Sequence, residues 1–545
     1  MKDLNRWMKR YQITPEKLDV ARQILDEVRQ GKVVVDAMRA YPLPQGGYLS
    51  KSVLVAEYRR QIERGETMPD NSLLERIRMK PVRSLSGVTT VTVLTKPYPC
   101  PGKCIFCPDD VRMPKSYLVD EPGAARAFQH DFDPYVQVRS RIESLNAVGH
   151  PTDKIELLIL GGTWSSYRKD YQEEFIKRCF DAMNEVEAAS LAEAQQINES
   201  GPHRNVGLVI ETRPDEIDAK ELAWLRKLGV TKVQMGVQSL DDHVLELNKR
   251  GHTAAQALRA TELLRAAGFK IVLHWMPNLL GATIDSDRED FNHLWQDGYA
   301  PDELKIYPCQ LLEGTELYQF WQRGEYRPYT QDELVQLIAD IKPTIQPYCR
   351  VNRVIRDIPS HHVVEGNRRT SLRQDIVLEM KRRGTSCDCI RCNEVRKQKV
   401  DSQELVLKDH VYDLGAAQEH FLHYRTPDNK IAGYLRLSLP QDNPLNHPSA
   451  DLDFEDLRDA ALIREVHVYG QSLAVGAEKD GAAQHIGLGT QLLEEAARIS
   501  REHGFKHLAV IAAIGTRQYY QGRGFERGKL YMVKSLPDDS SQSVD

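Results

Sequence analysis

Three cysteines fall within eight residues in CPGKCIFC, at Cys100, Cys104 and Cys107. Three thiols cannot all close into disulfides, and in a reducing compartment clustered cysteines more often hold metal. Zinc sites tend to pair their cysteines two and two, and iron–sulfur clusters take four. A run of three with an x3 then x2 gap therefore leaves two readings: a distant cysteine completes the set, or one iron stays open for a ligand. A second run, SCDCIRC, supplies Cys387, Cys389 and Cys392. Cys309 in YPC is the expected fourth ligand of a closed tetrahedral zinc site, preferred to Cys349 because it lies at a strand end, with free thiols as the alternative. A third stretch, QHIGLGTQ, places two glycines ahead of a helical pattern. Such a turn offers the backbone N–H groups of Gly487, Leu488, Gly489 and Thr490 as a pyrophosphate cradle.

The elements that must position these groups follow from periodicity. Residues 1–80 read as helices, with Thr14 as a cap, Pro15 at the first helical position and Gly31 as a stop. Six apolar runs then alternate with amphipathic segments, at residues 87–95, 154–160, 206–211, 232–237, 270–275 and 303–307. Nearly continuous apolar strands in βα order imply a parallel sheet covered on both faces. Six are too few for a closed eight-stranded barrel, so the expectation is α/β with a partial (βα)6 barrel over residues 81–345. CPGKCIFC directly follows the first of these strands, at the carboxyl end where such folds place their chemistry. A basic linker with the second cysteine run spans 346–400. A separate α/β unit over 401–540 opens with a hairpin around TPDN, and the strands at 461–469 and 507–514 flank the glycine-turn helix.

The chain has 545 residues, is 41% hydrophobic and carries a formal net charge of -5. Residues 1–83 hold 17 Lys and Arg against 11 Asp and Glu, and residues 350–400 hold 13 against 6. The +13 of these two stretches against -18 elsewhere is an electrostatic footprint for a polyanion, with Lys2, Lys9, Arg10, Arg59 and Arg60 as phosphate contacts. No apolar run is long enough for a membrane span and the start lacks a signal-peptide core, so a cytoplasmic location without membrane attachment is expected.

CxxxCxxC with Phe106 before its last cysteine, on a βα loop of a partial barrel, resembles the radical S-adenosylmethionine (SAM) superfamily across about residues 85–340. That resemblance implies a 4Fe-4S cluster on Cys100, Cys104 and Cys107, SAM on the open iron and an electron donor. Gly161, Gly162 and Thr163 of LGGT stand where the superfamily's glycine motif meets the cofactor, although Thr163 replaces a frequent Glu. Glu211 in ETRPD, Gln238 in GVQS and His274 in HWMP end the next three strands at the same mouth. Any one of them alone reads as well as a structural residue.

The carboxyl-terminal pattern resembles the GNAT acetyltransferases, whose Q/R-x-x-G-x-G/A signature is met by Gln484, Gly487 and Gly489. The resemblance implies acetyl-CoA, with Tyr519 or Tyr520 as the phenol near the thioester. His467 reads as an exposed strand residue. Both modules together resemble the family of Elongator catalytic subunits, which implies carboxymethylation at carbon five of the wobble uridine of tRNA, through the anticodon stem-loop, with other Elongator-type subunits or none. The competing expectations are a protein lysine acetyltransferase with a structural cluster and an RNA-binding scaffold.

Overall fold

The computed structural model describes residues 13–44, 46–84, 86–369, 371–396, 398, 400–441, 445, 454–469 and 487–537. Lys2, Lys9, Arg10 and Gln484 lie outside the described residues. The amino-terminal helices include Pro15–Arg29 and Lys51–Glu63, which pack around Ile24, Leu25, Val53 and Leu54. The Thr14 side chain accepts from the Lys17 backbone N–H at 3.4 Å and Pro15 opens the first helix. Arg59 and Arg60 sit on the second of these helices, half-buried and exposed respectively.

Seven parallel strands form the first sheet in chain order: β1 Thr89–Leu94, β2 Lys154–Leu160, β3 Arg204–Thr212, β4 Lys232–Gln238, β5 Lys270–Trp275, β6 Glu303–Ile306 and β7 Arg350–Arg353. Each of the six apolar runs is a strand. The seventh, RVNR, adds to the expected six and falls within the stretch read as linker. With β1 and β7 unpaired on their outer sides, the sheet has two edges and a seam between them.

A second sheet has the order β13-β14-β12-β11-β10-β9-β8. Its members are β8 Val406–Asp413, β9 Ala417–Arg425, β10 Ile431–Pro440, β11 Ala460–Val468, β12 His507–Val510, β13 Glu526–Arg527 and β14 Met532–Ser535. The β9–β10 hairpin is the one read around TPDN. β11 and β12 run parallel, joined through the helix Leu488–Glu502, and every other pair is antiparallel.

The second sheet packs beneath the amino ends of the first. Gly515 makes the closest approach: a Cβ there would lie 2.6 Å from the Arg204 Cβ and 2.9 Å from the Asn205 carbonyl oxygen. Buried and half-buried charges tie the two sheets together. Arg464 of β11 reaches Asp302 at 2.7 and 2.8 Å, Lys270 reaches Glu465 at 2.5 Å, and the Arg350 guanidinium donates to the Tyr469 hydroxyl at 2.8 Å. Burial opposes ionisation of Asp302, yet Arg464 and Arg436 hold its carboxyl well below the usual range. Charges so enclosed fix one docking geometry, because breaking any pair strands its partner away from water.

Candidate active site

Everything at the carboxyl ends of β1–β5 is held by unusual backbone. The loop after β1 carries Cys100, Cys104 and Cys107, stiffened by four prolines between residues 97 and 108. The Cys100 sulfur accepts from the Gly102 N–H at 3.4 Å and lies 3.5 Å from the Thr163 hydroxyl. Gly161, at φ +144°, has no room for a side chain, since a Cβ would fall 1.8 Å from the Thr95 hydroxyl oxygen, and Gly162 follows at φ +89°. Glycine alone tolerates this path.

Gln238 ends β4 at φ +75°, where the β4–β5 register shifts, and its buried Oε1 has no hydrogen-bond partner. A non-glycine residue held there stores strain of the kind that concentrates at ligand sites. Glu211 accepts from the Tyr117 hydroxyl at 2.8 Å and faces the His274 Nδ1 at 3.4 Å, while the His274 Nε2 meets Gln234 at 3.1 Å. Burial, then Lys305 and Arg356, push the imidazole well below its ordinary pKa, so the ring is neutral and its one N–H serves either Gln234 or Glu211. The strand-end residues thus form one connected polar wall.

From this mouth a cavity of about 1170 Å³ runs down the inside of the half-barrel. Phe106, Cys107, Glu211, Gln238 and His274 line its upper end, and Lys270, Glu303, His467, Tyr469 and Tyr520 its lower end. His467 is a half-buried cavity residue stacked between Tyr434 and Tyr469, which corrects its reading as an exposed strand residue. Burial pushes its pKa down to about 4.

In the carboxyl-terminal unit Gly487, at φ +73°, precedes the helix Leu488–Glu502, whose amino terminus has no side-chain cap among the described residues. Its first amides are therefore presented to whatever docks there. Gly489 is bare because the Tyr519 hydroxyl would lie 2.6 Å from a Cβ, and the Arg523 guanidinium stacks 3.6 Å over the Tyr519 ring while donating to the Thr490 hydroxyl at 3.2 Å. The two tyrosines thereby separate. Tyr519 faces the glycine turn, and Tyr520 is buried and lines the cavity.

The Radical SAM superfamily model matches residues 98–294 and the Radical_SAM C-terminal domain model residues 301–382. The chain is 39% identical to the tRNA uridine(34) acetyltransferase of Methanocaldococcus jannaschii over 542 residues, covering 95% of this chain and 97% of that one. It is 35% identical to the Elongator complex protein 3 of Homo sapiens over 484 residues, 85% and 87% of the two chains. The solved archaeal Elp3 of Methanocaldococcus infernus, lacking residues 1–46, superposes with a TM-score of 0.72 at 37% identity over 83% of this chain and all of that one. The chain belongs to the tRNA uridine(34) acetyltransferase and Elongator complex protein 3 family.

Membership in the radical SAM superfamily implies a 4Fe-4S cluster and SAM, and the residues fit them. Among the described residues, the triplets of ligating atoms all within 4.8 Å of one another are Cys387/Cys389/Cys392 and Asp120/His361/His362. Cys100, Cys104 and Cys107 spread wider than that, as a multi-iron cluster requires and a single ion does not. Burial, then the neighbouring Cys104, push the Cys107 thiol up to about 12, so its thiolate needs a metal to form at neutral pH.

Three basic residues beside the loop escaped sequence reading in this Elongator complex protein 3 relative. Arg250 donates to the Cys104 sulfur at 3.4 Å, the Arg213 Nη1 fills the space that Gly102 leaves, and buried His252 lies against the Val237 backbone. Burial, then the two arginines, lower the His252 pKa to about 3. The only signal that could have found them is their place, in ETRPD and in KRGH at residues 249–252, beyond GVQS.

The second cysteine set is corrected by one member. Cys309 follows the carboxyl end of β6 and is buried with Leu311, Leu317 and Tyr326. Cys387, Cys389 and Cys392 instead pack against the amino end of β7, where the Ile390 N–H donates to the Cys349 carbonyl at 2.9 Å and Cys349 neighbours Cys389. Cys349, rather than Cys309, lies at this end of the sheet, beside Cys389.

Proposed function

We propose that the protein modifies the wobble uridine of tRNA in the cytosol, transferring the two-carbon unit of acetyl-CoA to carbon five as a carboxymethyl group. The observation that carries this reading is one cavity that reaches from Cys107 of the cysteine loop to His467 and Tyr520 of the carboxyl-terminal unit. A route through the half-barrel shields reactive species from water and oxygen.

When bound, the cluster with SAM supplies a hydrogen-abstracting radical, which suits an acetyl methyl too weakly acidic for polar chemistry and a vinylic acceptor carbon. Cys100, Cys104 and Cys107 hold the cluster. Gly161, Gly162, Thr163, Glu211, Gln238 and His274 hold SAM, with the unpartnered Gln238 Oε1 free to accept from its amino group. At the lower end the amides of Gly487, Leu488, Gly489 and Thr490, with Arg523 and Gln484, take the pyrophosphate of acetyl-CoA. Tyr520 keeps its proton because burial raises its pKa, so its phenol can protonate the thiolate released when water hydrolyses the thioester to the carboxylate, while Tyr519 positions the turn. Basic segments of residues 1–83 and 350–400 take the tRNA backbone and an electron donor reduces the cluster. Cys349, Cys387, Cys389 and Cys392 hold a structural zinc.

The test is anaerobic incubation of reduced, reconstituted protein with SAM, acetyl-CoA and tRNA. Carboxymethyluridine is expected from the wild type and none from Cys104→Ala, whose acetyl-CoA binding stays normal. Acetyl-lysine formed equally by both proteins, without modified uridine, would overturn the reading in favour of a lysine acetyltransferase.

A further inference from the structure

A group of ligating side chains outside the cavity lies across the seam of the first sheet. β1 and β7 are its edge strands, and the segments that follow them meet above the opening. The β1 loop brings Asp120, and the turn Ser360–His362 after β7 brings His361 and His362. The Nε2 atoms of both histidines lie 2.8 Å from the Asp120 carboxylate, and the three ligand atoms all fall within 4.8 Å of one another.

The two segments are already tied by a partly buried charge, so the ligands stand on a fixed frame. Arg356 donates to the Ser116 hydroxyl at 2.8 Å and to Glu121 at 2.9 Å, linking the same two loops one step below. Leu118, Ile358 and Val363 pack together between them. Two imidazoles and one carboxylate, with no thiolate, suit zinc, cobalt or nickel. The ligands are half-buried to exposed, which leaves the remaining coordination positions to water.

We propose that Asp120, His361 and His362 bind a divalent transition-metal ion of the zinc class, which clasps the first and last loops of the half-barrel across its open seam. Two imidazoles and a carboxylate that now share hydrogen bonds would exchange them for bonds to one cation, so the clasp closes more firmly when the ion is present and releases when it is chelated. The site stands apart from the cavity and does not depend on the reading of the reaction.

The test is equilibrium dialysis of the reconstituted holoenzyme against zinc, with metal counted by mass spectrometry, for the wild type, His361→Ala/His362→Ala and the milder His361→Gln. The double variant is expected to bind one zinc fewer per chain while keeping iron and the cysteine-bound zinc. Its affinity at this site should fall at least about 100-fold, beyond the 10–100-fold that loss of an outer partner costs. Zinc should also slow amide exchange in residues 116–121 and 358–364 of the wild type, less so in His361→Gln and not at all in the double variant. Equal zinc counts in all three proteins, or zinc uptake that leaves exchange in both loops unchanged, would overturn the proposal and reduce the cluster to an ion-paired surface.

Discussion

The two cysteine triplets sit at opposite ends of the same half-barrel and are built for opposite purposes. The upper set, Cys100, Cys104 and Cys107, is half-buried and widely spread, with Cys107 open to a cavity. The lower set is mostly buried and tight enough for one ion, with Cys349 beside Cys389. Three ligands with an open position make a reactive metal centre, whereas four closed ones make a staple. Placement at a strand's carboxyl or amino end, more than cysteine spacing, separates the two in this fold.

Changing the fourth thiol breaks that contrast most directly. Cys349→Ser should release the lower metal and destabilise the chain by about 3 kcal/mol or more, since a structural zinc site contributes folding energy outright. Cys309→Ser should leave the bound zinc unchanged, because that thiol lies at the other end of the sheet. Metal content and the thermal midpoint of both variants decide the matter; zinc lost only from Cys309→Ser would reverse the assignment. At the upper end Gly161→Ala forces a Cβ onto the Thr95 hydroxyl at φ +144°. A loss of about 2–3 kcal/mol is expected, together with weaker SAM binding and a zinc content that stays normal.

The reason Cys309 looked better in sequence is instructive. KIVLHW and ELKIY advertise strands through apolar continuity, so YPC visibly ends one. RVNR does not, because a four-residue edge strand with two arginines has no apolar run to display. Once β7 was hidden, Cys349 could not be seen to begin a strand. β8, which lies at the opposite edge of the second sheet and has mostly exposed positions, was lost the same way. The cysteine loop, the glycine turn and the strand-end Glu211, Gln238 and His274 were legible because residue type and order alone express them. Arg213, Arg250 and His252 were not, since a charged side chain folded against thiols leaves no periodic trace.

The two ends can also be uncoupled at the joint between the sheets. Gly515→Ala would press a methyl against the Arg204 Cβ and the Asn205 backbone, where no flexible side-chain tip can yield. About 2 kcal/mol of destabilisation is expected. The effect should fall on the product rather than on the parts: SAM and acetyl-CoA binding remain, and modification of tRNA drops. Limited proteolysis should then cut between the units faster than in the wild type, and an unchanged product yield would count against a shared route.

Acid distinguishes the ends with the smallest effect. His467 is neutral in the folded protein with a pKa near 4, against about 6.5 for an unperturbed histidine. Between those values the unfolded chain binds the proton and the folded chain does not, so stability falls as pH drops from about 6.5 towards 4. The ring is half-buried, which screens it in part, and about 1 kcal/mol between pH 7 and 5 is its share of the total loss. His467→Gln should remove that share, flattening the denaturation midpoint against pH over this window, while the upper end keeps its iron. A slope identical to the wild type would mean that the lower cavity lets the ring ionise without cost, and would take His467 out of the enclosed environment on which the Tyr520 proton also depends.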